Sequence, residues 1–254
     1  MKRVLMCIAY DGTNYSGFQA QDNADTIEGQ LNKALSSMFK EKIEVIGASR
    51  TDAGVHGLCN MVVFDMPAGM PGEKVSFAIN PLLPDDITIV WSREVDKDFH
   101  PRHMLTAKTY EYHIWNDEFI PPTKRLYAYK VNRPLDESLM DQAGKFLVGE
   151  HDFKSFCSVN TTALTTVRNI ISVDVRREGK EVIISVCGNG FLYNMVRIIA
   201  GTLIEVGYGK RKPEDIVTML EACDRTKAGP TAPAHGLILS KFEFLEGEKS
   251  QENA

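Results

Sequence analysis

Nothing in the chain approaches the uninterrupted apolar length of a membrane-spanning helix. The apolar run Val4 to Tyr10, behind Lys2 and Arg3, is too short for a secretory signal core with a cleavage site, and Asp11-Gly12 ends it. A soluble, cytoplasmic protein is the expectation. Cysteine is scarce and poorly spaced for chemistry. The five cysteines (Cys7, Cys59, Cys157, Cys187, Cys223) are odd in number and none stand as C-x-x-C, so neither a disulfide framework nor a zinc site follows. Those in apolar runs read as buried thiols. Asn14-Tyr15-Ser16 and Asn160-Thr161-Thr162 fit the glycosylation pattern, which without a secretory signal is coincidence. There is no P-loop, and Gly188-Asn189-Gly190 is too short for a dinucleotide fingerprint. His100 and His103 lack a matching carboxylate pattern, so no metal and no cofactor is expected. Positive charge is also in short supply. A formal net charge of −5 counts against a protein that coats nucleic acid through bulk charge. Any RNA contact must then use a local basic face. Arg102, Lys108, Arg168, Arg197 and Lys210-Arg211-Lys212 are the candidates, although such charges more often form a solvated surface.

What is present is an ordinary globular composition, 43% hydrophobic and 25% charged, over 254 residues, enough for one large domain or two moderate ones. Val4 to Tyr10 is apolar on both alternating faces and predicts a central strand. Ile27, Leu31, Ala34, Leu35 and Met38 recur at helical spacing, with Asp25 and Glu28 as a capping box. Ile43 to Ile46 and Met61 to Phe64 read as strands, and Glu73 to Ile79 as a helix. A strand follows through Val90. Lys108 to Trp115 alternates as a half-buried strand. Leu135 to Val148 reads as a helix stopped by Gly149. Val167–Val175 and Val182–Val186 are strands joined by Glu178-Gly179-Lys180. Leu192, Met195, Val196, Ile199, Leu203 and Val206 form the buried stripe of another helix. Pro213 opens a last helix to Ala222, Leu237 to Phe244 closes the fold as a strand, and Glu246 to Ala254 is a fraying polar tail.

The stretch that needs another explanation is Gly47-Ala48-Ser49-Arg50-Thr51-Asp52-Ala53-Gly54-Val55-His56-Gly57, between two of those strands. Its Asp and Gly could merely serve a hairpin turn. It is long for one, and a turn gives no reason for Arg50 and Asp52 to stand two apart. Arg50 to His56 resembles the signature of the tRNA pseudouridine synthase A family, whose usual pattern is G-A-G-R-T-D-A-G-V-H-A. Ser49 and Gly57 depart from it at small-residue positions. Further motifs resemble the family's in the right order. They are Tyr10-Asp11-Gly12-Thr13, Gly17-Phe18-Gln19 (Phe18 for the common Trp), Phe99-His100-Pro101-Arg102 (Pro101 for Ala), Gly149-Glu150-His151-Asp152-Phe153 and the segment around Arg197. The resemblance runs from Tyr10 to Gly236, nearly the whole chain.

The resemblance implies an α+β fold of two ferredoxin-like (RRM-like) lobes, their antiparallel sheets meeting around a central active-site cleft. Residues 1–104 would form the lobe with the aspartate loop, and 105–254 the lobe with the tyrosine and arginine. It implies a tRNA-uridine isomerase acting at tRNA positions 38, 39 and 40, in the anticodon stem-loop, as a cytoplasmic homodimer. Converting uridine to pseudouridine exchanges no electrons and needs no cofactor or metal, only one carboxylate near sugar and base. Asp52 is implied as that carboxylate, acting as nucleophile or as the base of a glycal route. Arg197 is implied as the guanidinium that keeps it ionised. On spacing alone, Arg197 is as readily an arginine reaching for solvent. Tyr110 is implied as a catalytic residue, its ring stacked on the uracil and its hydroxyl able to help remove the C5 proton, though a strand aromatic is equally a core residue, and Tyr112 of the same parity is assigned to packing. Arg50 is implied to fill the space left when the uridine leaves the stack, where a guanidinium can stack and bond phosphate. Leu192 would line the base pocket, and His56 would hold the loop. Two other readings stay open: a non-catalytic RNA-binding module or tRNA chaperone of the same fold, and a hydrolase that releases free uracil.

Overall fold

The structure, a computed structural model, describes residues 1–67, 69–159, 161 and 163–248. Asn160 and Thr162 of the second glycosylation match, and 249–254 of the polar tail, lie outside the described residues. In chain order the elements are β1 (Lys2–Tyr10), α1 (Ile27–Phe39), β2 (Ile46–Gly47), β3 (His56–Met66), α2 (Val75–Ile79), β4 (Ile87–Val95) and β5 (Met104–Trp115). Then come β6 (Tyr129–Lys130), α3 (Glu137–Lys145), β7 (Gly149–Asp152), β8 (Val167–Glu178), β9 (Glu181–Gly188), α4 (Met195–Gly207), α5 (Asp215–Ala222) and β10 (Leu237–Glu248). The fold is mixed α/β with mostly antiparallel pairing. Among the described residues no helix is long and apolar enough to cross a membrane. The chain divides into two compact units: Met1–Thr106 with the segment from Leu239, and Ala107–Ile238.

In the first unit the strand order is β4-β1-β3-β10, with β2 also paired to β3. β1 lies antiparallel between β3 and β4. Its residues from Val4 to Ile8 are buried without a break because both faces carry a core. Val4, Met6 and Ile8 join Leu31 and Leu35 of α1, while Leu5 and Cys7 join Met61, Val63 and Phe242. Each such side chain, fully buried, contributes about 1.5–3 kcal/mol, so a one-residue slip of β1 is strongly disfavoured.

Several boundaries differ from expectation, each for a local reason. Thr26, not Asp25, caps α1, accepting a bond from the Gly29 amide at 3.2 Å. Asp25 accepts instead from the Gln30 side chain and Glu28 from the Ala20 amide. The strand expected over 43–46 shrinks to Ile46–Gly47. The Ile43 and Val45 amides bond the side chains of Ser36 and Asn32 on α1 rather than a neighbouring strand. β3 begins at His56, so the signature loop contracts to 48–55. The helix expected over 73–79 is α2 with a 3-10 turn on either side. The closing strand runs on to Glu248.

In the second unit the order is β5-β9-β8-β7, and the short β6 lies parallel to β5. β5 alternates as its sequence predicts: Tyr110, Tyr112 and Ile114 are buried, Glu111, His113 and Trp115 half-buried. β8 and β9 form a tight hairpin with Glu178 opposite Glu181. Asp136 caps α3, which stops at Lys145. Gly149, with φ 108°, opens β7 instead of ending the helix. The expected one-sided stripe of α4 is buried, but so is every other residue of that helix except Arg197 and Glu205. A helix apolar all round belongs inside a core, so its two charged positions stand out.

Candidate active site

Asp52 lies half-buried in the loop between β2 and β3. The Val55 amide bonds the Asp52 carbonyl at 3.1 Å, and Gly54 supplies the positive φ of 76° that this turn needs at its third residue. The loop is clamped from outside. Thr51 shares a 2.9 Å hydrogen bond with the buried Tyr10 hydroxyl, and its carbonyl accepts from the Phe18 amide at 3.0 Å. Asn60, fully buried, donates to the Ser49 carbonyl at 3.1 Å. The Gly54 amide bonds the Tyr15 carbonyl. Nδ1 of the buried His56 accepts from the Gly12 amide at 3.1 Å, as its expected structural role requires. A side chain at Gly12 would meet the Val55 carbonyl oxygen at 2.0 Å. The segments around Tyr10 and Phe18, which the sequence marked only by resemblance, are thus the walls that hold the aspartate loop. Burial pushes the Tyr10 hydroxyl up to about 12, so it stays a neutral partner for Thr51. Arg50, beside this buried framework, is exposed.

The second unit presents its candidates from regular elements. Tyr110, only 6% exposed, sits on β5 opposite Val186 and packs edge-to-face on Phe191, ring centroids 5.1 Å apart. Tyr112, two residues on, is fully buried and donates to the Pro233 carbonyl at 2.9 Å. Tyr112 is therefore a packing residue. Arg197 is half-buried in the first turn of α4. There the helix dipole disfavours a cation, so other contacts must secure it. Its Nε donates to the Ala232 carbonyl at 2.8 Å and its Nη1 to Asn194 Oδ1 at 2.6 Å. The Ala232 amide returns a bond to the Arg197 carbonyl. The guanidinium is thus held by the loop before β10 and by the residue preceding its own helix. Asn194 takes a left-handed φ of 61° to begin that helix. Leu192, 6% exposed, lies in the turn before it, and Tyr193 also precedes the helix and is half exposed.

The basic candidates divide. Lys210 and Arg211 are taken up by Glu205. Arg168 donates to the Thr165 and Val167 carbonyls, and burial lowers its pKa. Arg102 donates from Nε to the Gly47 carbonyl at 2.9 Å. Sequence reasoning missed Phe191, Asn60, Asn194 and Ala232. Phe191 and Asn60 act through partners far along the chain, Ala232 through its backbone, and Asn194 through a side chain that no periodicity marks. Among the described residues no group of three or more His, Cys, Asp or Glu could hold a metal.

The chain is an isomerase by its family match: residues 6–103 and 143–244 fit the model of the tRNA pseudouridine synthases. It belongs to that family. Curated relatives named tRNA pseudouridine synthase A include one from Acetivibrio thermocellus, 46% identical over 96% of this chain and 100% of the relative. One from Brevibacillus brevis is 47% identical over 94% of this chain and 98% of its own length. The tRNA pseudouridine synthase A 2 of Clostridium tetani is 48% identical over 96% of this chain and 99% of its own. Among solved structures, a chain of a Cbf5–Nop10–Gar1 complex aligns with a TM-score of 0.37 at 12% identity, over 79% of this chain and 45% of that one, too distant to bear on the fold.

Proposed function

We propose that this chain converts uridine to pseudouridine in the anticodon stem-loop of tRNA, with Asp52 as its catalytic carboxylate. The bond from N1 to C1′ breaks, the base turns, and C5 bonds to C1′. N1 gains a proton and the C5 hydrogen leaves to water, so no oxidant, reductant or second substrate enters. Asp52 acts ionised, either attacking directly or removing the proton that opens a glycal route. Arg197 supplies the positive charge that favours that ionised form. Tyr110 offers the uracil an aromatic face, a contact of about 1–3 kcal/mol. Arg50 takes the place of the extruded base, and Leu192 lines its pocket. The reading includes two ferredoxin-like lobes, one with Asp52 and one with Tyr110 and Arg197, and a cytoplasmic homodimer. The strand order β4-β1-β3 with β2 on the far side of β3 supports the first lobe.

The observation that carries the reading is the Asp52 loop. The loop is fixed by five residues, Tyr10, Gly12, Tyr15 and Phe18 from one stretch and Asn60 from β3, with its aspartate half-buried and its arginine exposed. A binding module has no need to hold one carboxylate so firmly. The test is to incubate the protein with unmodified tRNA and map pseudouridine at each uridine by chemical derivatisation. Pseudouridine confined to the anticodon stem-loop, with no free uracil, is the expected product. Free uracil would make the protein a hydrolase. Tight binding without any product would make it a binding module.

A further inference from the structure

The Phe99-His100-Pro101-Arg102 motif has no part in the reaction as described, yet its arginine is fastened to the signature loop. The first unit contains four arginines. Arg3 is paired with Asp65 through two hydrogen bonds, and Arg93 lies over the Trp91 ring. Arg102 instead bonds the carbonyl of Gly47, three residues before Arg50. Partial desolvation, then the Arg50 charge, lowers the Arg102 pKa. Among the described residues neither has a carboxylate at ion-pair distance. Glu28, whose charge in part opposes that lowering, is bonded to the Ala20 amide. In a chain with 34 acidic residues against 29 basic ones, two guanidiniums on one loop framework with no carboxylate at ion-pair distance among the described residues are a costly arrangement unless an anion comes to them.

The arrangement is also built rather than loose. Arg102 uses Nε on the Gly47 carbonyl, the residue at which the signature loop starts. Gly47 is in turn fixed by the Phe18 ring packed against its backbone. The Arg102 amide donates to His100 Nδ1 at 3.3 Å, and the His100 ring stacks on His103 at 4.1 Å. That turn sets the direction in which the arginine leaves the chain. With Nε occupied, Nη1 and Nη2 remain as a fork that matches two oxygens of one phosphate. Burial, then the charges of His103, Arg102 and Arg3, lower the His100 pKa, so the positive charge here comes from the arginines.

We propose that Arg102, fixed on Gly47 three residues before Arg50, is a phosphodiester-binding residue that grips the RNA backbone beside the target uridine. This rests on the RNA-modifying reading above. Arg50 then fills the vacated stack while Arg102 holds the backbone from which the nucleotide swings out.

The test uses the full chain and an anticodon stem-loop RNA. Binding is measured by fluorescence anisotropy across a salt series for wild type, Arg102→Gln, Arg102→Lys and Arg93→Gln, with melting temperatures alongside. Arg102→Gln is expected to bind about tenfold more weakly, and its log K against log salt slope to shrink by about 0.7–0.9, with melting unchanged. Arg102→Lys should keep the slope and lose part of the affinity, and Arg93→Gln should match wild type. A neutral methylphosphonate at the linkage 5′ or 3′ of the target uridine should weaken wild type and leave Arg102→Gln unaffected at one of those positions. An unchanged slope, with or without lowered melting, makes Arg102 a strut of the loop and overturns the proposal. So does an equal loss in Arg93→Gln. Wild type that neither binds nor modifies the RNA refutes the functional reading itself, a result separable from all of these.

Discussion

The two units hold their candidate residues in different ways. Asp52 sits on irregular chain, and its position is set by hydrogen bonds from Tyr10, Gly12, Tyr15, Phe18 and Asn60, none adjacent to it in sequence. Tyr110 and Arg197 sit on a strand and a helix whose regular backbone sets their direction, with the Phe191 ring and the Ala232 and Asn194 bonds among their supports. A loop can be shaped to a task but must be clamped, whereas a strand or helix comes rigid but offers only the directions of its own period. Damage to distant clamps should therefore disturb Asp52 far more than comparable damage disturbs Tyr110.

The largest expected effect is on the loop itself. Asp52→Asn should lower turnover by about 10²–10⁴-fold or more while anisotropy shows tRNA binding nearly intact, since the clamps do not use its side chain. Activity near wild type would remove Asp52 from the mechanism. Next comes Arg197→Met, which should lose comparable turnover and raise the apparent acid pKa in the pH–rate profile. The sign follows from removing a positive charge that favours a carboxylate's ionised form, so more alkaline solution is needed to deprotonate it. Retained turnover with an unmoved profile would remove Arg197 from the proposed mechanism.

Two smaller changes sharpen the contrast. Gly12→Ala should cost about 1–3 kcal/mol in denaturant unfolding and reduce kcat, although residue 12 bears no chemistry, because its methyl collides with the Val55 carbonyl. Tyr112→Phe should cost about 0.5–1.5 kcal/mol by leaving the Pro233 carbonyl without its donor, with kcat unchanged. If Gly12→Ala left kcat intact while Tyr112→Phe lowered it, the loop would not depend on its clamps as described.

The sequence disclosed most where a property is local. The unbroken apolar run of β1, the alternation of β5 and the Gly179-Lys180 hairpin could be read directly, since burial of both faces, burial of one face and a two-residue turn each leave a short-range pattern. Ile43 to Ile46 misled because alternation marks which side is buried, and cannot tell that Ser36 and Asn32 take the amides a strand would have used. For α4, the spacing predicts a one-sided stripe where all but Arg197 and Glu205 is buried: Ile198, Ala200 and Ile204 are apolar off that stripe, and buried Gly201 and Thr202 do not register as apolar. That β10 pairs with β3, across most of the chain, leaves no mark in either strand's pattern. At the site, the Arg50–Asp52 motif was conspicuous. On periodicity alone Tyr110 and Arg197 resemble a core aromatic and a surface cation, and the clamp residues Asn60 and Ala232 resemble nothing in particular.

The central claim is isomerisation at C5 by a carboxylate on that loop. Its most direct test is tritium release to water from tRNA labelled at C5 of uridine, with chelator-treated wild type and Asp52→Asn measured side by side. The account predicts release by wild type, none above background by Asp52→Asn, and no free uracil from either. Release that persists in Asp52→Asn, or wild type that binds the tRNA tightly and releases nothing, would contradict it.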